Sequence, residues 1–84
     1  MEKRISEVVS GNIAAYRKAK GMTQSKLGEL IGLSRTSIVN IEKGRQPLQI
    51  DTIWEIANQL DIPPLWLLWS HDLSVRGYDL RSRS

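Results

Sequence analysis

Side chains able to carry out covalent or acid–base chemistry are scarce in this 84-residue chain. It has no cysteine and a single histidine, His71. Disulfide staples, thiolate metal sites and histidine-based zinc sites are thereby excluded. No nucleophile is matched with a base, no carboxylate pair sits in a glycine-rich setting, and no phosphate-cradling loop is present, so neither an enzyme nor a cofactor is expected. His71 is read as a surface or tail residue. What the chain does carry is unevenly placed charge. Its 12 Lys+Arg and 9 Asp+Glu give a net charge of +3 and a pI of about 9.6. Residues 15–46 hold Arg17, Lys18, Lys20, Lys26, Arg35, Lys43 and Arg45 against only Glu29 and Glu42. Residues 47–75 hold Asp51, Glu55, Asp61 and Asp72 with no Lys or Arg. A basic half beside an acidic half predicts that one surface meets a polyanion and the other does not.

These groups must be positioned by a small scaffold. A chain of this length forms one domain with a limited core, and without staples it relies on well-packed helices or on self-association. The longest uncharged apolar stretch, Ile62 to Ser70, is interrupted by Pro63 and Pro64 and falls far short of the ~20 residues that span a bilayer. The N-terminus lacks the apolar block of a secretion signal, so a cytoplasmic protein without membrane contact is expected.

No strand-like alternation persists, and the chain reads as all-α with five helices. The first runs from about Ile5 to Lys20, with Ile5, Val9, Ile13 and Tyr16 at helical spacing and Gly21 as its C-terminal glycine. The second runs from Gln24 to Ile31 behind the N-cap Thr23 and ends at Gly32. The third runs from Arg35 to Lys43 behind the N-cap Ser34 and ends at Gly44. The fourth runs from about Ile50 to Leu60, with Ile53, Ile56, Ala57 and Leu60 on one stripe. The fifth begins at Pro63-Pro64, where a missing N–H is harmless, and continues through Trp69. Residues 1–70 are read as the folded domain and 71–84 as a flexible or partly ordered tail.

The second and third helices meet at a glycine-marked turn. Leu27 and Ile31 share one face of the former, Ile38 and Ile41 share one face of the latter, and Leu33 can plug the angle between them. Gly28 lies on the inner face, where a side chain would hold the helices apart, and Gly32 permits the positive φ of a tight turn. This segment resembles the helix-turn-helix of the phage repressor and Cro family, the Xre type. All seven framework positions agree: Leu27, Gly28, Ile31, Gly32, Leu33, Ile38 and Ile41. The similarity extends to Arg17, to Lys20-Gly21-Met22-Thr23-Gln24, to Ile41-Glu42-Lys43-Gly44-Arg45, to Asp51-Thr52-Ile53 and to Leu65-Trp66-Leu67-Leu68, covering roughly residues 8–69. Pro63-Pro64 departs from a Ser-led cap and Leu65 from an acid.

The resemblance implies a compact five-helix repressor-like fold whose third helix enters the major groove of double-stranded DNA N-terminal end first. The outward residues Ser34, Arg35, Thr36 and Asn40 are then the base-contact candidates. Arg35 matches guanine O6 and N7, Asn40 matches adenine N6 and N7, and Thr36 offers a methyl to thymine. Ser34 also suits the helix cap. Gln24, Ser37, Lys43, Arg45 and Arg17 are the phosphate-contact candidates. Lys26 fits a phosphate contact or an ordinary solvated lysine equally. The family pattern further implies an Arg17–Glu42 pair tying the first helix to the third.

One helix reads few base pairs, so a homodimer on two half-sites is expected. The fifth helix, about 62–70, is its expected seam. Leu67 and Leu68 are read as core, whereas Leu65, Trp66 and Trp69 would leave an apolar interface, with Trp54 near the same seam. The expected function is a sequence-specific transcriptional regulator. The alternative is an antitoxin-like protein-interaction module in which DNA binding is secondary and the acidic half meets a protein partner such as a toxin; polymerase is a further possible partner.

Overall fold

The computed structural model describes residues 4–69. The readings for residues 71–84, the tail and His71, lie outside the described residues. Five helices follow one another: α1 (Ile5–Ala19), α2 (Gln24–Ile31), α3 (Arg35–Glu42), α4 (Ile50–Leu60) and α5 (Pro64–Leu67). Each expected helix is present. The first and third end one residue sooner than the apolar pattern suggested, and the fifth is a single turn that stops before Leu68 and Trp69. The described residues contain no strand.

Local chemistry accounts for the boundaries. The Lys26 N–H donates to Thr23 Oγ1 and the Ser37 N–H donates to Ser34 Oγ, both at 3.0 Å, so α2 and α3 each start on a hydroxyl cap. Gly32 closes α2 at φ +75°, where a Cβ would clash with its own backbone. Asp61 ends α4 in the left-handed region at φ +58°, a role the sequence did not single out. Asp tolerates this conformation better than most residues with a Cβ.

The helices enclose one core. Val9 and Ile13 come from α1, Leu27 from α2, Ile38 and Ile41 from α3, and Ile56, Ala57 and Leu60 from α4; Ile62 and Leu67 complete it around α5. Ile5 starts the expected α1 stripe but lies beyond the core edge and is exposed. Leu68 also departs from expectation. Consecutive helical positions point about 100° apart, and Leu67 takes the interior, so Leu68 turns outward with 40% of its surface exposed. Asn12 is buried on the inner side of α1, where Nδ2 donates to backbone carbonyls at the end of α5.

The α2–α3 corner is set by close approach at Gly28. A Cβ there would lie 2.5 Å from the Leu33 carbonyl oxygen and 3.3 Å from Ile38 Cγ1. The Leu33 N–H donates to the Gly28 carbonyl at 2.8 Å, so backbone meets backbone at this point and neither side can yield easily. Leu33 then packs against the core between the helices, as its position in the turn predicted. Gly11, in the middle of α1, has nothing within 4 Å of its virtual Cβ. Gly28→Ala is therefore expected to destabilise the fold by about 1–3 kcal/mol. Gly11→Ala is expected to stabilise it by up to about 1 kcal/mol. Urea or thermal unfolding of the two variants checks the contrast, and equal midpoints would contradict the packing described.

Candidate nucleic-acid interface

The outward edge of α3 is built by what its inward edge buries. Ile38 and Ile41 are fully interior, which turns Arg35 and Thr36 to solvent and leaves Ser37 and Asn40 half-buried at the flank. The side chains of Arg35, Thr36 and Asn40 make no hydrogen bond or ion pair among the described residues. Ser34 behaves differently: its hydroxyl caps α3 and lies 3.2 Å from Ser37 Oγ, so the two serines satisfy the helix start and each other. This run offers an exposed guanidinium fork and hydroxyl-plus-methyl, with a half-buried carboxamide at their flank. Those groups can pair in two-donor or donor–acceptor fashion with planar base edges.

Both ends of α3 are anchored. At its last residue Glu42 receives Arg17 from α1 in a two-pronged pair, Nε to Oε2 at 2.6 Å and Nη2 to Oε1 at 3.0 Å. The two side chains are only 8% and 7% exposed. Arg17 Nη1 donates to the Met22 carbonyl at 2.8 Å in the loop before α2. Gln24 Nε2, from the first residue of α2, donates to Glu42 Oε1 at 3.1 Å. One carboxylate thus gathers α1, α2 and α3. Two buried charges in this geometry orient the helices, while their desolvation cancels much of their attraction.

The network also sorts the basic residues. Arg17 is beneath the surface, and each of its three guanidinium nitrogens has an internal partner. The Gln24 side chain is likewise engaged inside the fold. With Thr23 capping Lys26, the first N–H groups of α2 have no partner in the helix and are available to an anion. Lys43 and Arg45 are exposed just past α3, on either side of Gly44 at φ +71°. Lys26 pairs with Glu29 across one turn at 3.4 Å on an exposed surface, the geometry of an ordinary solvated lysine. Asp51, Glu55 and Asp61 are exposed on α4 and at its end, giving the acidic half its own helix.

Around α5 the surface is apolar. Leu65 is 71% exposed and Trp66 is 50% exposed; Trp69 is half-buried. Trp66 stacks on Tyr16 with ring centroids 6.2 Å apart, and a cavity of about 480 Å³ opens between Tyr16, Leu65, Trp66 and Trp69. On its other side Leu65 borders a groove of about 580 Å³ lined by Ile5, Ile50, Ile53, Trp54, Pro63, Pro64 and Leu68. Trp54 therefore lines the same groove as Leu65. Ile5, Ile50 and Leu68 are exposed along that groove. They escaped sequence reading because their exposure depends on how neighbouring elements pack. Asn12 was overlooked as well, although a lone carboxamide between Val9 and Ile13 on an apolar face signals a buried partner.

No helix among the described residues is long and apolar enough to cross a membrane. No group of three His, Cys, Asp or Glu side chains that could hold a metal ion occurs among them.

The Helix-turn-helix family matches residues 13–67 of the chain. An HTH-type transcriptional regulator of Sinorhizobium fredii, y4dJ, is 29% identical over 71 residues, spanning 84% of this chain and 92% of that protein. The control protein C.SmaI of Serratia marcescens is 30% identical over 57 residues, 68% of each protein. Among solved structures, the restriction-modification controller protein C.AhdI of Aeromonas hydrophila superposes with a TM-score of 0.67 at 32% identity, covering 70% of this chain and 86% of that one.

The buried pair yields a contrast between scaffold and surface. Glu42→Ala leaves Arg17 buried without its counter-charge and is expected to cost about 3–5 kcal/mol. Arg35→Ala removes an exposed side chain without internal partners and is expected to change stability by no more than about 0.5 kcal/mol. Thermal denaturation checks this; equal melting temperatures would refute the division.

Proposed function

We propose, for a chain that belongs to the helix-turn-helix family of repressor and Cro (Xre) type and is a DNA-binding regulator rather than an enzyme, that it reads an inverted-repeat operator as a dimer through the major groove. The observation that carries this reading is the free edge of α3. Arg35, Thr36 and Asn40 project from a helix whose two ends are fixed, and their polar groups are not engaged by the fold. Arg35 pairs with guanine, Asn40 with adenine, and Thr36 with a thymine methyl or a phosphate. Ser34 stays with the cap and approaches the bases only at the helix start. Gln24 contributes the open N-terminus of α2 to a phosphate, and Ser37, Lys43 and Arg45 supply further phosphate contacts. Arg17 acts through Glu42, as the strut that sets the angle of α3, rather than as a direct phosphate ligand.

The dimer is supported by the apolar surface around α5. Leu65 and Trp66 are exposed with half-buried Trp69 beside them, and such apolar patches mark interfaces. Two copies joined there would present two α3 helices to half-sites about 34–36 Å apart. The exposed acids of α4 keep that side of the molecule away from the phosphates. Two of the similar proteins are controllers by name, one of them for restriction-modification. This favours control of a neighbouring operon over a phage Cro-like or other stand-alone repressor role. The reading as a protein-interaction module draws on the same acidic and apolar faces, and salt dependence separates the two. Loss of duplex affinity with rising salt is expected to be steep when several phosphates are contacted.

Selection of bound duplexes from a random pool is expected to return two inverted half-sites. On that operator Arg35→Ala should cost about 1–3 kcal/mol and relax the choice at one base position. Lys43→Ala and Arg45→Ala should weaken all duplexes alike and each lower the salt slope by about 1. An Arg35→Ala variant that binds operator and scrambled DNA as the parent does would refute the readout assignment. A monomer mass in light scattering, with and without operator, would refute the dimer.

A further inference from the structure

Helix α5 is a single turn, Pro64–Leu67, and isolated helices need about 12–15 residues to persist. Burial of Ile62 and Leu67 holds its inner side. Its C-terminal end is held by Asn12, which lies 54–57 residues earlier in the chain. Asn12 is 8% exposed. Its Nδ2 lies 2.7 Å from the Trp69 carbonyl oxygen, 2.9 Å from that of Leu67 and 3.4 Å from that of Trp66. Carbonyls at the end of a helix lack partners within it, and a carboxamide with two N–H groups answers the two shortest of these contacts. One turn along α1, Tyr16 stacks on Trp66. The residue after Tyr16 is Arg17, which grips Glu42 of α3. A six-residue stretch of α1, from 12 to 17, therefore holds the aromatic end of α5 on one side and the readout helix on the other.

We infer that Asn12 is a positioning residue for self-association, fixing the pose in which Trp66 and Trp69 meet a second copy and, through α1, the placement of that seam relative to α3. This rests on the dimeric reading given above. The position does not call for a polar residue on packing grounds. It lies on the same inner side as Val9 and Ile13, where an apolar side chain would be buried without any need for a hydrogen bond. What an apolar residue cannot do is hold the carbonyls of Leu67 and Trp69. Replacing Asn12 should therefore separate two properties, leaving the core folded while the short helix and its tryptophans lose their fixed orientation.

The test uses the full chain, its operator and three variants. Asn12→Asp keeps the size but faces carbonyls with a carboxylate, Asn12→Leu keeps the burial without a donor, and Val9→Ala lowers stability without touching α5's carbonyls. Both Asn12 variants are expected to retain far-UV helical content and affinity for a single half-site within about twofold. Their near-UV tryptophan signal should change, and their dimerisation in sedimentation velocity should weaken about tenfold or more. Val9→Ala should melt earlier yet dimerise as the parent does. If Asn12→Asp fails to fold, Asn12→Leu carries the comparison. A dimeric parent whose Asn12 variants associate equally well, with an unchanged near-UV spectrum, overturns this inference alone. Weakened association in Val9→Ala to the same degree also overturns it, because stability would then explain the effect. A monomeric parent, with and without operator, overturns the dimeric reading and this inference together.

Discussion

The geometry of the domain turns on one buried carboxylate. Glu42 ends α3, receives two donors from Arg17 and one from Gln24, and so joins three helices at one point. α3 is eight residues long, too short to persist without tertiary support. Hydrophobic contact through Ile38 and Ile41 attaches it to the core but constrains its tilt only loosely, since apolar packing is not directional. A two-pronged guanidinium–carboxylate pair is directional. Shielded from water on both sides, it tolerates few alternative arrangements and therefore sets the tilt. Its contribution to net stability is small beside its contribution to orientation, because the desolvation of both groups opposes their attraction.

At the opposite end of α3 the constraint is steric. Gly28 lets the Leu33 carbonyl approach to a distance that any side chain would forbid, and the Leu33 N–H returns a hydrogen bond to the Gly28 carbonyl. The Ser34 cap then starts the helix immediately after this contact. With one end set by close backbone approach, the other by a buried ion pair and the inner face by Ile38 and Ile41, the side chains of Arg35, Thr36 and Asn40 make no hydrogen bond or ion pair among the described residues.

The small size of the domain shapes the rest of the surface. Sixty-six described residues enclose a core of about ten apolar side chains, and the exposed large hydrophobics, Leu30 on α2 apart, gather around α5, the start of α4 and Ile5. The acids of α4 border this region, whereas the exposed bases Lys43 and Arg45 lie past α3. Charge and hydrophobicity are thus separated on the molecule.

Local pattern alone determined much of this. Thr23 and Ser34 as caps, Gly21, Gly32 and Gly44 as turn glycines, and the framework from Leu27 to Ile41 were legible because each depends on residues within one or two turns of the chain. So was the corner at Gly28, because a glycine on an inner helix face implies a close neighbour. Tertiary structure decided what no local window contains. Periodicity marked α5 as apolar but could not choose between Leu67 and Leu68, since a one-turn helix is too short to define a stripe. No local window pairs Arg17 with Glu42, 25 residues away; the family resemblance implied that pair, and the packing of α1 against α3 buries it. Asn12 was unremarked until carbonyls 54–57 residues later closed on it. Helix periodicity specifies a face, and only the packing of elements far apart in the chain specifies what that face meets.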